Sequence, residues 1–280
     1  MYFLFANPQK PETITVARHL TQWLTGQGEQ VMLDTWLHDL VGLGTGGDIS
    51  LLTGDTKAII SLGGDGTLLR TLPAAALHQI PVLGVNMGRV GFLLETDREG
   101  LQAAMIRIRS GDYSIEERMM LRCQINGGTS QLFMNDVVLC RGAHPSSIVV
   151  DVFANEELVY ATHGDGMIVS TATGSTGYCL SAGGPILHPA LHCMVVLPIC
   201  THKAQQLPIV LQDDVRIRLK ADAVSDRTYQ VVLDGQKSFD IHGAADIAIE
   251  KAAEKALFIR FAPQHFFTRL RQKQAEWSVI

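Results

Sequence analysis

The chain has 280 residues, 46% of them apolar and 18% charged, with 26 glycines. This length exceeds what one small core organises and predicts two domains in a soluble, loop-rich globular protein. A formal net charge of −5 argues against a protein that grips nucleic acid by neutralising phosphates.

Five cysteines, an odd number with no C-x-x-C pair, point away from a disulfide framework or a zinc ribbon and toward a reducing, cytoplasmic compartment. No basic n-region stands at the N-terminus, so no signal peptide is expected. The longest apolar run, residues 193–200, is too short to span a bilayer.

In chain order, residues 2–6 read as a strand ending in the turn Asn7-Pro8. A helix follows with Ala17, Leu20 and Leu24 on one face and Gly26 at its end, then a second strand over 30–33. Residues 42–47 fit G-x-G-x-x-G, but residues 36–40 before them do not read as a strand. A flexible loop is therefore expected there rather than a dinucleotide fingerprint. Residues 57–62 form a buried strand that stops at Gly63-Gly64. A helix over 66–78 follows, with Pro73 as a kink or break. Another strand over 81–86 and a helix over 98–109 complete an alternation that implies parallel βαβ units.

Beyond Tyr113 the pattern changes to short strands. Asn126-Gly127-Gly128 and Asn155-Glu156 read as hairpin loops, and Asp213-Asp214, Asp234-Gly235 and His242-Gly243 as turns. Helical spacing returns near 175–181 and again over 264–275, where Phe267, Leu270 and Gln274 fall in line. The charges Arg269, Arg271 and Lys273 are expected on a solvated helix face. The expected architecture is an α/β, Rossmann-like domain over residues 1–111 and a β-rich, sandwich-like domain over 112–262. The helix over 263–280 is expected to pack back on the first domain.

Three stretches carry chemistry. Gly63-Gly64-Asp65-Gly66-Thr67 stands between a buried strand and a helix, where an open α/β sheet places its ligands. Its glycines let the backbone approach a phosphate, and the helix start offers free N–H groups. A carboxylate among them repels phosphate unless a metal intervenes or it serves a substrate hydroxyl as base. Residues 84–93, with Asn86, Gly88 and Gly91, make a second loop of this kind at the next strand end. The third stretch, 165–186, carries seven hydroxyl side chains among small residues, a surface suited to ribose hydroxyls and purine edges. Tyr178 can stack on a base there, and Asp165 can accept from an exocyclic amine. His188, His192, Cys193 and His202 could suggest zinc, but Pro189 and the apolar residues around it favour a turn entering a buried strand.

These blocks resemble the NAD kinase family: G-G-D-G-T at 63–67, Asn135-Asp136 in place of its N-E pair, and D-G-x-x-x-S-T-x-T-G-S-T-x-Y from Asp165. The order and spacing fit as well, including Gly183, Pro189 and Asp234-Gly235-Gln236. The resemblance implies transfer of the terminal phosphoryl group of ATP, or of another donor, to the 2′-hydroxyl of the adenosine ribose of NAD. It makes Asp65 the general base, with Gly66 lining the same site. Asn135 and Asp136 would hold the riboses and adenine. Asp165, Thr176, Gly177, Tyr178, Cys179, Leu180 and Ser181 would complete the pocket, with Gln236 and Cys200 as further contacts. A divalent metal, usually magnesium, would accompany the donor, and the chain would form a homodimer or homotetramer.

The chain departs from the family pattern at several positions. Asp136 replaces Glu. His163 stands where Arg is frequent, so a fixed charge becomes a titratable one. Ala172 and Gly177 replace Pro and Ala, and residues 201–208 lack family-like prolines and an Arg. Two other readings use the same residues. A lipid kinase of the diacylglycerol type shares only G-G-D-G-T and needs an apolar acceptor site. A non-catalytic NAD(P)-binding sensor would not need Asp65.

Overall fold

A computed structural model describes residues 1–88, 91–142, 146–202, 206–223, 228–262 and 266–277, for Trp277 the backbone alone. The chain divides into two compact units, residues 1–117 with 256–280, and residues 118–255.

The first unit begins with β1 (Tyr2–Ala6), α1 (Glu12–Gly26), β2 (Val31–Asp34), α2 (Thr35–Val41) and β3 (Thr45–Gly47). It continues with β4 (Ala58–Gly63), α3 (Asp65–Leu69), α4 (Leu72–Leu77), β5 (Val82–Asn86), β6 (Thr96–Asp97) and α5 (Leu101–Ser110). The strand order β5-β4-β1-β2-β3 is parallel at each pairing. Every residue of β1 and β4 is buried, because a parallel strand with both faces covered gains nothing from alternation. Val16, Ala17, Leu20 and Leu24 of α1 and Leu101, Met105 and Ile108 of α5 belong to the core of this unit. Strand β1 lies between β2 and β4, so the chain leaves it in opposite directions. The loops after β1 and β4 therefore diverge and open a crevice at the carboxyl ends of the strands.

The expected helix over 66–78 is two short ones, with Pro73 in the first turn of α4, where its missing N–H breaks no bond. Residues 42–47 are not a loop throughout. Gly42 ends α2 in a left-handed conformation, and Thr45–Gly47 pairs with β2 as an edge strand. A Cβ on Gly47 would lie 2.7 Å from Met32 Sδ, so the small residue lets the Met32 side chain pack against this edge.

The second unit takes its first strand from the far part of β7 (Ser114–Ile125). Then come β8 (Gln131–Phe133), β9 (Asp136–Arg141), β10 (Ile148–Ala154), β11 (Glu157–Gly164) and β12 (Gly166–Thr171). The remainder is α6 (Tyr178–Ser181), β13 (Cys193–Ile199), β14 (Ile209–Gln212), β15 (Ile217–Ala221), β16 (Thr228–Leu233), β17 (Lys237–His242) and β18 (Ala245–Arg260). One antiparallel sheet runs β14-β13-β12-β9-β16-β17, and β11-β10-β15-β18 with β7 and β8 belong to another. Val137, Leu139, Met167, Val169 and Val231 share a core with Val150, Val152, Leu219, Ile247 and Ile249, which makes a sandwich. Strands β12 and β13 are buried on their other face too, where Val138, Ile168, Val195 and Leu197 cluster with Cys179. That accounts for the unbroken apolar run over 193–199.

The end of β18 returns to the first unit, with Phe258 opposite Val82 in parallel register. There α7 (Phe266–Trp277) follows; residues 263–265, where the expected C-terminal helix was to begin, lie outside the described residues. Its inward face differs from the expected one. Phe266 is buried and Arg269, Leu270 and Lys273 are half-buried, while Phe267 is 66% exposed. Arg269 is thus not on a solvated face, because it donates to backbone carbonyls of the first unit, while half-buried Lys273 pairs with Glu276 of the same helix.

Candidate active site

In the first unit Asp65 opens α3, one residue past the end of β4. Its carboxylate is buried and accepts two backbone hydrogen bonds, from the Phe92 N–H to Oδ2 at 2.8 Å and from the Leu93 N–H to Oδ1 at 3.1 Å. Burial pushes its pKa above the ordinary carboxylate value. The two amides and the charges of Lys273 and Arg269 oppose that shift. The loop can reach the carboxylate only because residue 91 is glycine: a Cβ there would sit 2.2 Å from Asp65 Oδ1. Gly63 is equally constrained, its missing Cβ leaving room for Thr67 Oγ1. Gly64 and Gly66 flank the aspartate at the mouth of the crevice. In the second loop Asn86 Oδ1 accepts from the Gly88 N–H at 2.9 Å, which closes a turn beside Lys10, whose Nζ donates to Met87 O. Residues 89 and 90 of this loop lie outside the described residues.

The carbonyls of the Asp65-binding loop are held from behind. Arg269 of α7 donates from Nη1 to Phe92 O at 3.2 Å and to Gly91 O and Leu94 O. Buried Arg260 donates to Leu93 O at 3.0 Å and pairs with Glu95 and Glu116. Glu95 also accepts from the Phe261 N–H. A cavity of about 340 Å³ opens here, bordered by Asn86, Gly91, Asp97, Arg269 and Gln272. None of Arg269, Arg260 or Glu95 was found from sequence. An arginine such as Arg269 carries no sign that its partners are carbonyls 175 to 178 residues away.

In the second unit Asn135 and Asp136 sit where β9 begins. The Asp234 carboxylate accepts from three successive N–H groups, Met134 at 2.9 Å, Asn135 at 2.6 Å and Asp136 at 3.1 Å. Asp234 adopts φ 51° and Gly235 φ 62° in the hairpin between β16 and β17. One residue therefore both turns the chain and caps the segment that carries Asn135-Asp136; sequence reading found the turn and missed the cap. Burial pushes the Asp136 carboxyl up to about 7, with the Asp234 charge adding to the rise. Asn135 Oδ1 is buried and has no hydrogen-bond partner among the described residues.

The 165–186 stretch meets this pair directly. A Cβ on Gly177 would lie 3.6 Å from Asn135 Nδ2 and 3.7 Å from Asp136 Oδ2. Tyr178, 48% exposed, is near enough to Asp136, Asp165, Cys140 and Cys200 for each to raise its pKa, after burial. Asp165 pairs with Arg141 at 3.4 Å. Thr176 is half-buried, Leu180 likewise, and Ser181 is exposed. Cys200 is exposed, with φ 46°. Gln236 is exposed in the hairpin turn.

Two expectations change. The hydroxyls of this stretch do not form one outward surface: Ser170, Thr171, Thr173 and Ser175 are buried. Ser170 donates to Asn135 O, Thr171 to Met134 O and Ser175 to Ala172 O. They stitch the segment to the start of β9, because a turn this tightly packed must satisfy its carbonyls internally. Cys179 likewise faces the apolar cluster and is fully buried, and burial pushes its thiol up to about 11.

His163 is exposed, with Ser147 Oγ 2.7 Å from its Nε2 and the His202 ring 4.5 Å away. His192 pairs with Asp213 at 3.3 Å. Among the described residues no group of three or more His, Cys, Asp or Glu is placed to hold a metal ion. Residues 203–205 of the divergent 201–208 stretch lie outside the described residues.

A doubly wound α/β unit with a glycine-framed aspartate at its switch point, joined in one chain to a β-sandwich unit, defines a kinase class by fold and site together. Family models for the ATP-NAD kinase N-terminal and C-terminal domains match residues 49–113 and 134–261. An NAD kinase of Heliobacterium modesticaldum is 39% identical over 276 residues, covering 96% of each chain. The chain belongs to the NAD kinase family. Its fold matches a yeast NADH kinase crystallised with NADH at TM-score 0.90 and 21% identity, covering 98% of this chain and 87% of that one. It also matches an NAD kinase from Archaeoglobus fulgidus in complex with ATP at TM-score 0.77 and 26% identity, covering 97% and 99%.

Proposed function

We propose that this chain phosphorylates NAD on the 2′-hydroxyl of its adenosine ribose, with ATP as donor, to give NADP. Asp65 is the base. Its carboxylate takes the hydroxyl proton, the ribose oxygen attacks the γ-phosphorus, and the bond to the bridging oxygen breaks with its electron pair leaving on ADP. The observation that carries this reading is the buried Asp65 carboxylate, fixed by two amides yet left with unused lone pairs. It stands in a chain 39% identical to a named NAD kinase. A positioned base of this kind contributes about 10²–10⁴ in rate.

Asn135 and Asp136 hold the dinucleotide with Asp165, Gly177 and Tyr178, and the orphaned Asn135 Oδ1 supports that role. Magnesium fits the reaction as a donor-bound ion, since such ions are held largely by substrate phosphates and neutralise the charge that grows on them. We place the protein in the cytoplasm as a homo-oligomer. The five unpaired thiols support a reducing compartment. No described helix is long and apolar enough to cross a membrane. Incubation of the purified chain with NAD, ATP and magnesium tests the activity; failure to form NADP would refute it. Light scattering gives the oligomeric mass.

A further inference from the structure

We infer that Arg269 of α7 is a positioning residue for phosphoryl transfer: it clamps the carbonyls of residues 91–94 and so aims the Phe92 and Leu93 amides at Asp65. This rests on the reading of Asp65 as the base.

A peptide unit held at its oxygen cannot rotate without breaking that bond, so fixing a carbonyl fixes the amide of the next residue. Arg269 Nη1 holds Gly91 O and Phe92 O. Those oxygens belong to the peptide units whose N–H groups, of Phe92 and Leu93, donate to Asp65. Arg260 holds Leu93 O, and Arg269 also takes Leu94 O. Every carbonyl over 91–94 is therefore occupied by a guanidinium. An arginine suits this place because Nη1 holds the carbonyls while Nη2 of the same rigid fork faces Glu95, and its charge stays permanent. Glu95 faces both arginines and Glu116 faces Arg260, so the clamp itself is anchored.

Among the described residues, the charged groups that face Asp65 are Arg269 and Lys273, both on α7, and Phe92 and Leu93 present their backbone amides to it. Without Arg269 the loop amides drift and one positive charge is lost. Both changes disfavour the ionised carboxylate, so the acid limb of the rate moves to higher pH. Dinucleotide binding, assigned to the second unit, stays as it was.

The test uses the full chain as wild type, Arg269→Met, Arg269→Lys and Asp65→Asn. Single-turnover phosphorylation is followed from about pH 5.5 to 9, and NAD affinity is measured by calorimetry. Arg269→Met is expected to lose about 10–100-fold in rate, the scale for a small misplacement of a catalytic group. Its acid limb should shift upward while NAD affinity stays within about twofold, the interval that separates a positioning effect from a binding one. Arg269→Lys, which keeps the charge but not the fork, should fall between it and wild type. An unmoved acid limb in Arg269→Met, or a loss of NAD affinity that matches the loss of rate, overturns the inference. If Arg269→Met does not fold by circular dichroism, Arg269→Lys decides: a raised acid limb with lowered rate supports the clamp, and a wild-type profile overturns it. Asp65→Asn keeps the two failures apart. Near-normal turnover there removes the base itself; an inactive Asp65→Asn beside a wild-type-like Arg269→Met removes only the clamp.

Discussion

A carboxylate can stay buried and still work as a base only if some of its lone pairs are occupied and others are left open. Asp65 meets that condition with two amide donors. Replacing it by Asn keeps the shape and removes the basicity. The rate should drop about 10²–10⁴-fold while calorimetric NAD affinity changes little; a variant turning over near the wild-type rate would exclude Asp65 as the base. Gly91→Ala probes the same contact from the other side. Its methyl would need the space 2.2 Å from Oδ1, so the loop must retreat and take its amides with it. A fall in rate of at least about 10-fold is expected, of the size seen when a catalytic group is misplaced, again with NAD binding kept. Unchanged kinetics would show that the loop adapts. Asp65 was legible in the sequence because glycines around an acid at a strand end have few other uses. Arg269 was not, since charges on a short helix look alike whether they meet water or buried carbonyls.

At the scale of elements, the hairpin from β16 to β17 works as a bracket for the start of β9. Asp234 satisfies three consecutive amides there, and hydrogen bonds to a charged acceptor each contribute about 1.5–3 kcal/mol. Asp234→Ala should lower stability by at least about 2 kcal/mol, seen as a lower urea midpoint at constant slope. It should also weaken NAD binding, because Asn135 and Asp136 lose their support. A change under about 0.5 kcal/mol, the range of an ordinary surface substitution, would mean that the amides find other partners. The strands of the first unit followed from apolar runs and the turns from Asp-Gly and Asn-Gly pairs. Less legible were positions where a polar residue serves the chain itself. The buried Ser170, Thr171, Thr173 and Ser175 read as ligand surface because a hydroxyl carries no sign of which way it faces. The four glycines of 42–47 hid an edge strand because close packing against Met32 and His38 leaves no periodicity.

For the molecule as a whole, Asp136 links stability to pH. In the unfolded chain an aspartate titrates near about 3.9, whereas burial and the Asp234 charge lift Asp136 to about 7 in the fold. Between these values the folded chain holds a proton that the unfolded chain has released, so stability falls as pH rises through the interval. Asp136→Asn removes this dependence and should flatten the melting temperature between about pH 4 and 8. Its gain should be larger at the alkaline end, and the slope that remains should come from Asp234, raised in the same direction. Parallel curves for wild type and variant would show Asp136 ionised in the ordinary range.

The division of the chain also sets an order of events during synthesis. Residues 118–255 leave the ribosome before residues 256–277, so the sandwich unit is complete in sequence while the unit bearing Asp65 still lacks a strand and a helix. A nascent or prematurely terminated chain would carry the dinucleotide-holding residues, yet its base would lack both arginines behind the loop. Competence for transfer therefore waits on residues 256–277, which are made after the strands and helices that they complete.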